Sequence, residues 1–149
     1  MSILIIKSDV TDFLHAFSQI EKDDFHFELL SLFPVQCCEF ASMLLARFLI
    51  EEKRYNFIDI LMYKGQFRLN KDQFHLWLNV KGIVVDITAG QFEEAPTQII
   101  IDDSLDWHDQ WFELIDINLP EINFDDYLGY CNELVLEYDY QQILKKMND

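Results

Sequence analysis

A histidine and an aspartate in one short stretch of this chain form a candidate acid–base pair. Residues 75–88, HLWLNVKGIVVDIT, alternate in polarity on both sides of Lys81-Gly82, which predicts two strands joined by a two-residue turn. In that register Asp86 is the diagonal neighbour of His75 on the same face. A carboxylate there fixes the imidazole tautomer and favours the imidazolium, as in the general-base pair of a catalytic triad.

Two adjacent cysteines, Cys37 and Cys38, offer the nucleophile that such a pair would serve. They follow Pro34 at the predicted start of a buried helix. A thiol at a helix N-terminus meets unpaired N–H groups and the positive end of the dipole, and both favour the thiolate. Free cysteine is also among the most buried residue types, so two small core residues are the alternative.

The secondary structure around these residues is predicted as helices, then strands, then a last helix. This order predicts an α+β domain. In chain order the sequence predicts a strand or tucked arm at 1–7, helices over 8–20, 23–33 and 37–53, strands at 55–63, 74–80, 83–88 and 98–102, a short helix or loop over 102–115, and a long C-terminal helix over 125–147.

Composition bounds the class of protein. The 149 residues are half hydrophobic with few glycines and prolines, which predicts one domain spanning residues 1–149. The longest apolar run is too short to span a bilayer, and the first residues lack a signal-peptide pattern, so a cytoplasmic location is expected. Three cysteines predict no disulfide framework. We expect no cofactor and no metal, because zinc-ligand spacings and phosphate-binding glycine loops are absent from the sequence.

The net charge of −16 is unevenly distributed. Residues 1–100 hold 9 Lys and Arg against 14 Asp and Glu, whereas residues 101–149 hold 2 against 13. Such a surface repels nucleic acid and anionic membranes, so neither is expected as a partner. The acidic surface either serves solubility alone or forms a face for a basic protein partner.

The order of these residues resembles the transglutaminase-like branch of the papain fold. A cysteine heads a helix, His-x-Trp opens a strand, and an aspartate follows one strand later. The segments FPVQCCEFAS, HLWLNV, DITAGQF and DSLDWH are similar to those of a group of small bacterial proteins in that superfamily, whose pattern is roughly FPxGxCGDxS, HAWL, DITxxQF and DSxWH. The resemblance covers residues 33–108, about half of the chain.

The resemblance implies a single transglutaminase-like domain in which a nucleophile helix packs on an antiparallel sheet. It also implies a catalytic triad: Cys38 attacks an acyl carbon, His75 takes the thiol proton, and Asp86 orients His75. The backbone N–H of Cys38 and the side chain of Gln36 are the expected oxyanion donors. Further candidates for lining the site, each of which packing or loop hydrogen bonds would equally explain, are Cys37, Trp77, Gln91, Ser104 and His108.

The chain departs from the pattern next to the nucleophile. Gln36 replaces a glycine, Glu39-Phe40 replaces Gly-Asp, and Leu76 replaces an alanine. Three functions therefore stay open. The first is a cysteine acyl-transfer enzyme (amide hydrolase, deamidase or transglutaminase-like) acting on a peptide or protein. The second is an acidic binding protein of immunity type that neutralises a basic partner and keeps a relict triad. The third is a leader-peptide protease of peptide biosynthesis.

Overall fold

A five-stranded antiparallel sheet carries the predicted hairpin in its centre. The computed structural model describes residues 2–124 and 133–148. The strands are β1 (Ile60–Phe67), β2 (Phe74–Val80), β3 (Ile83–Asp86), β4 (Ile100–Asp102) and β5 (Phe112–Asn118), in the spatial order β4-β3-β2-β1-β5. Every neighbouring pair is antiparallel. The mixed α+β class predicted from the sequence is therefore confirmed.

Helices come before, between and after these strands. They are α1 (Ile3–Ser18), α2 (Cys38–Glu51), α3 (Asp106–Trp111) and α4 (Glu133–Met147). Helix α2 confirms the helix predicted over 37–53, and α4 confirms the predicted C-terminal helix from residue 133 onward. Residues 125–132 of that second prediction lie outside the described part of the chain. None of the helices in the described residues is long and apolar enough to cross a membrane.

The first residues are helical, so the strand predicted at 1–7 is wrong. Ser2 caps α1 by accepting a hydrogen bond from the Leu4 N–H at 3.2 Å. The run Ile-Leu-Ile-Ile is rich in β-branched isoleucine and favours a strand locally, but Ile6 lies on the same buried stripe as Val10, Phe13 and Phe17. Tertiary burial of that stripe outweighs the local preference. The predicted helix at 23–33 is instead two short 3₁₀ segments, Lys22–Asp24 and Glu28–Leu32.

The main core lies between the helices and one face of the sheet. Helix α2 is buried over nearly its whole length and packs against β2. The apolar face of the hairpin, including Leu78, Val80 and Val85, joins this core as the alternation predicted. The start of α2 is thereby fixed against the sheet, and Cys38 is its first residue.

The opposite face of the sheet is buried as well, in a second group of mostly aromatic side chains that we call the aromatic cluster. Its buried members are Phe67, Trp77, Val84, Ala89, Phe92, Ile100 and Phe112. Phe112 opens β5, a strand that the sequence analysis did not predict, because FELIDIN follows a short helix directly and only its first residue is buried. The polar face of the hairpin is consequently enclosed rather than solvated.

Candidate active site

The hairpin has the register that its sequence predicts. Val80 pairs with Ile83 and Leu78 with Val85. Lys81 and Gly82 take positive φ angles of 51° and 87°, the values of a type I′ turn, whose twist matches that of the flanking strands. This register sets His75 and Asp86 as diagonal neighbours on one face.

His75 and Asp86 form a buried pair. Their side chains are fully buried, and His75 Nε2 lies 2.6 Å from Asp86 Oδ2. Burial by itself would lower the pKa of His75, but the charge and hydrogen bond of Asp86 outweigh it, and the Cys38 side chain acts in the same direction as Asp86. The pKa of His75 is therefore raised above its ordinary value of 6.5, because the neighbouring carboxylate favours the imidazolium.

Asp86 accepts hydrogen bonds from several donors at once. Besides His75, the Nε2 atom of His108 lies 2.8 Å from the same Oδ2. The other oxygen, Oδ1, accepts from the Thr88 N–H at 3.1 Å and lies 3.5 Å from the Thr88 hydroxyl. Burial opposes ionisation of Asp86, yet the two imidazoles outweigh it and hold its pKa below the ordinary value.

The two cysteines have different environments. Cys37 is fully buried in the main core, and burial, aided by the charge of Cys38, raises the pKa of its thiol to about 12. Cys38 is half-buried at the first position of α2, where the N–H groups lack intrahelical acceptors. Its side chain interacts with His75 and raises the pKa of that imidazole. Of the two thiols, Cys38 alone combines access to solvent with contact to the imidazole.

Gln91 and Trp77, both predicted to line the site, contact His75. The amide of Gln91 lies 3.2 Å from His75 Nδ1, on the side of the ring opposite Asp86. A 3₁₀ turn, Ala89–Gln91, brings it there directly after β3. The Trp77 ring lies 5.6 Å from that of His75 and 4.4 Å from that of His108. Trp77 therefore packs behind the imidazoles, within the aromatic cluster.

Two other predicted residues lie outside this contact network. Gln36 is exposed and adopts a φ of 62°, the left-handed conformation that glycine favours. The Ser104 hydroxyl accepts from the Asp106 N–H at 3.2 Å and so supports the start of α3. Ser104 thereby positions the helix that carries His108 instead of lining the site.

Thr88 is a member of the site that sequence reasoning did not identify. Its N–H donates to the carboxylate two residues earlier, an Asx turn for which Asp-x-Thr is a known local signal. The rings of Phe92 and Phe112, 4.9 and 5.3 Å from that of His75, were also not assigned. They come from separate segments, and no local pattern would have brought them together.

The histidines and the aspartate could also be viewed as metal ligands. Possible ligand atoms of His75, Asp86 and His108 lie within 4.8 Å of one another. Ligand atoms around a tetrahedral zinc lie roughly 3.3 Å apart, given metal–ligand distances near 2.0–2.1 Å. Both imidazole nitrogens instead lie at 2.6 and 2.8 Å from one oxygen, which is the spacing of charge-assisted hydrogen bonds. The geometry favours a carboxylate with two N–H donors.

Comparison with protein-family models, with curated proteins and with solved structures finds no match to this chain. The case for a function therefore depends on the geometry of the site.

Proposed function

We propose that this protein is a cysteine-nucleophile acyl-transfer enzyme with a Cys38–His75–Asp86 triad. One observation carries the proposal: a buried imidazole interacts with a buried carboxylate at 2.6 Å and with a half-buried thiol at a helix N-terminus. Each group has the partner that its role requires, namely a nucleophile, a base and a residue that orients the base.

The mechanism follows from these contacts. Asp86 contacts Nε2, so Nδ1, which lies 3.2 Å from the Gln91 amide, is the nitrogen that takes the proton of the Cys38 thiol. The thiolate sulfur bonds to the acyl carbon, and His75 then donates that proton to the leaving nitrogen or oxygen as its bond to carbon breaks. Water, or an amine in transamidation, attacks the thioester and regenerates the thiol. The Cys38 N–H and Gln36 are the proposed oxyanion donors.

The papain or transglutaminase-like identity of the fold is part of this proposal. It is supported by a helix that begins at the nucleophile and packs on an antiparallel sheet, with the base and the acid on two adjacent strands. Because His75 and Asp86 are enclosed, a substrate reaches the triad through Cys38. That approach suits an amide or ester on an extended peptide or a side chain, which includes a leader peptide.

Selective chemical modification of Cys38, by alkylation and by acylation, tests the proposal. All variants carry Cys37→Ala and Cys131→Ser, so that Cys38 is the single thiol. We expect iodoacetamide to label the folded protein about tenfold faster than the urea-unfolded chain near neutral pH. p-Nitrophenyl acetate should leave one acetyl group on Cys38, detected by mass spectrometry.

The matched controls replace one histidine at a time. His75→Gln should abolish the rate advantage, whereas His15→Gln, at an exposed position on α1, should keep it. Labelling of the folded protein no faster than that of the unfolded chain, or independent of His75, would rule out the triad.

A second candidate function is that of an acidic binding protein, with the triad as a relict. No lysine or arginine lies between Lys81 and Lys145, whereas that stretch holds fifteen Asp and Glu residues. Within it, β5 forms one edge of the sheet and exposes Leu114, Ile115 and Ile117 beside Glu113 and Asp116. An exposed edge with apolar and acidic side chains suits an extended basic segment of another protein.

Salt dependence of binding tests this second function. A peptide that alternates lysine and leucine should bind at low salt, and its affinity should fall steeply as ionic strength rises. Replacing Glu113 and Asp116 by Gln and Asn should weaken binding. Replacing Asp23 and Asp24, two exposed residues of the 3₁₀ segment Lys22–Asp24, by Asn should not. Equal binding by both double variants would reject β5 as the surface.

A further inference from the structure

We propose that His108 is a positioning residue that donates its Nε2–H to Asp86 and thereby limits how strongly Asp86 acts on His75. The inference rests on the proposed function, in which His75 is the base. It assigns different tasks to two imidazoles that contact one carboxylate oxygen.

Asp86 has a limited capacity to accept hydrogen bonds. A carboxylate offers about four lone-pair positions. His75 and His108 occupy Oδ2 at 2.6 and 2.8 Å, and the N–H and hydroxyl of Thr88 approach Oδ1 at 3.1 and 3.5 Å. The carboxylate is fully buried, so no solvent donor replaces one that is lost. Each donor therefore takes a share of a fixed negative charge.

The two imidazoles differ in the partner of the ring nitrogen Nδ1. The Nδ1 atom of His108 is buried and has no hydrogen-bond partner among the described residues. In the Nε2–H tautomer this atom is a bare acceptor, whereas an imidazolium would leave a buried N–H unsatisfied at greater cost. His75 differs, because its Nδ1 contacts Gln91 at 3.2 Å and its ring interacts with Cys38. Only His75 has a route for exchanging a proton with the thiol.

The charges around His75 and Asp86 also bear on the role of His108. Among the described residues, the titratable groups that act on His75 are Asp86 and Cys38, and those that act on Asp86 are His75 and His108. The other neighbours include the uncharged side chains of Gln91 and Thr88 and two rings, Trp77 and Phe112, that each pack near both imidazoles. Removal of the His108 N–H therefore leaves more of the carboxylate charge to act on His75.

Imidazole NMR titration tests the inference without any substrate. In His108→Leu the titration of His75 should move upward by about one pH unit, because Asp86 has lost a donor. In His108→Gln it should return close to the wild-type position, since the glutamine amide nitrogen can occupy the place of Nε2. His15, which is exposed, serves as the internal reference in every spectrum.

The outcomes separate this inference from the proposed function. If Leu and Gln at position 108 give the same titration of His75, His108 only fills space and the inference is wrong. If His108→Leu does not fold, His108→Met, which also lacks an N–H donor, replaces it in the comparison with His108→Gln, and equal titration of His75 in those two variants would likewise overturn the inference. Loss of the Cys38 rate advantage bears on the triad alone, since the His75 titration does not require acylation.

Discussion

At the scale of single residues, neighbouring positions acquire different chemistry through burial. Cys37 and Cys38 are adjacent in sequence, yet the first lies in the main core and the second begins α2 beside His75. The sequence could name both thiols but could not choose between them with certainty, because the choice depends on which side chain turns toward the sheet. Proximity to His75 now favours Cys38.

The buried pair predicts how stability depends on pH. The pKa of His75 is raised, so its contribution is fully present below its ordinary value near 6.5 and is lost as the pH rises through the higher folded-state pKa. The pKa of Asp86 is lowered, so its contribution is present above about 4 and is lost as the pH falls through the lower folded-state pKa. The pair therefore stabilises most between about pH 4 and 6.5.

Asp86→Asn measures this contribution. We expect it to cost roughly 3–5 kcal/mol near pH 6, because it leaves a buried imidazole without its counter-ion. Urea unfolding of both proteins at several pH values should show the difference shrinking as the pH rises above the His75 pKa. A difference that stays constant from about pH 5.5 to 9.5 would mean that His75 remains neutral throughout that range.

At the scale of elements, the site depends on how closely β1 approaches the aromatic cluster. Gly65 pairs with His75 across β1 and β2 and lies at a bulge between β1 and β5. A Cβ at Gly65 would lie 2.8 Å from Phe112 Cβ and 2.9 Å from Trp77 Cη2. The absence of a side chain there lets both rings lie against the strand beside His75.

Gly65→Ala should therefore disturb both stability and the site. The overpacked ring and backbone atoms should reduce the free energy of unfolding by about 1–3 kcal/mol. Gly90→Ala is the matched control, because its Cβ would mainly displace the flexible end of Gln98. Thermal unfolding and the Cys38 alkylation rate report the two effects. A Gly65→Ala protein no less stable than Gly90→Ala would mean that the cluster has room to adjust.

At the scale of the whole molecule, the net charge of −16 makes the folded surface repel itself. Few cations offset it. Arg47, in α2, bonds Glu51 at 3.0 Å and Glu137 of α4 at 2.7 Å, and its guanidinium lies 4.2 Å from the centroid of the Tyr140 ring. This contact joins two helices, whereas most of the acidic residues lie at the exposed surface.

Salt should consequently stabilise the protein. Raising the ionic strength from a few millimolar to about 0.5 M shortens the Debye length and screens the repulsion more than it weakens the partly buried Arg47 contacts. A gain of about 1 kcal/mol would raise Tm by roughly 2–4 °C. Calorimetry in sodium chloride tests this, and a falling Tm would mean that attractive ion pairs outweigh the repulsion.

The features that depend on local periodicity were predictable from the sequence. Alternation on both sides of Lys81-Gly82 predicted the hairpin and its register, and apolar spacing predicted α2. Since side chains on a strand alternate with a period of two, register alone placed His75 and Asp86 on one face. The first residues are rich in β-branched isoleucine, which favours a strand. The first helix was therefore predicted to begin at residue 8, whereas α1 begins at Ile3.

The segments that enclose that face were not predictable from the sequence. Segments far apart in sequence, from Ala89–Gln91, α3 and β5, cover it with rings and bring His108 to the oxygen that His75 already contacts. No local pattern encodes such a meeting, because burial and shared hydrogen bonds arise when distant segments pack together. The polar face of the hairpin thereby became a buried carboxylate with two imidazole donors.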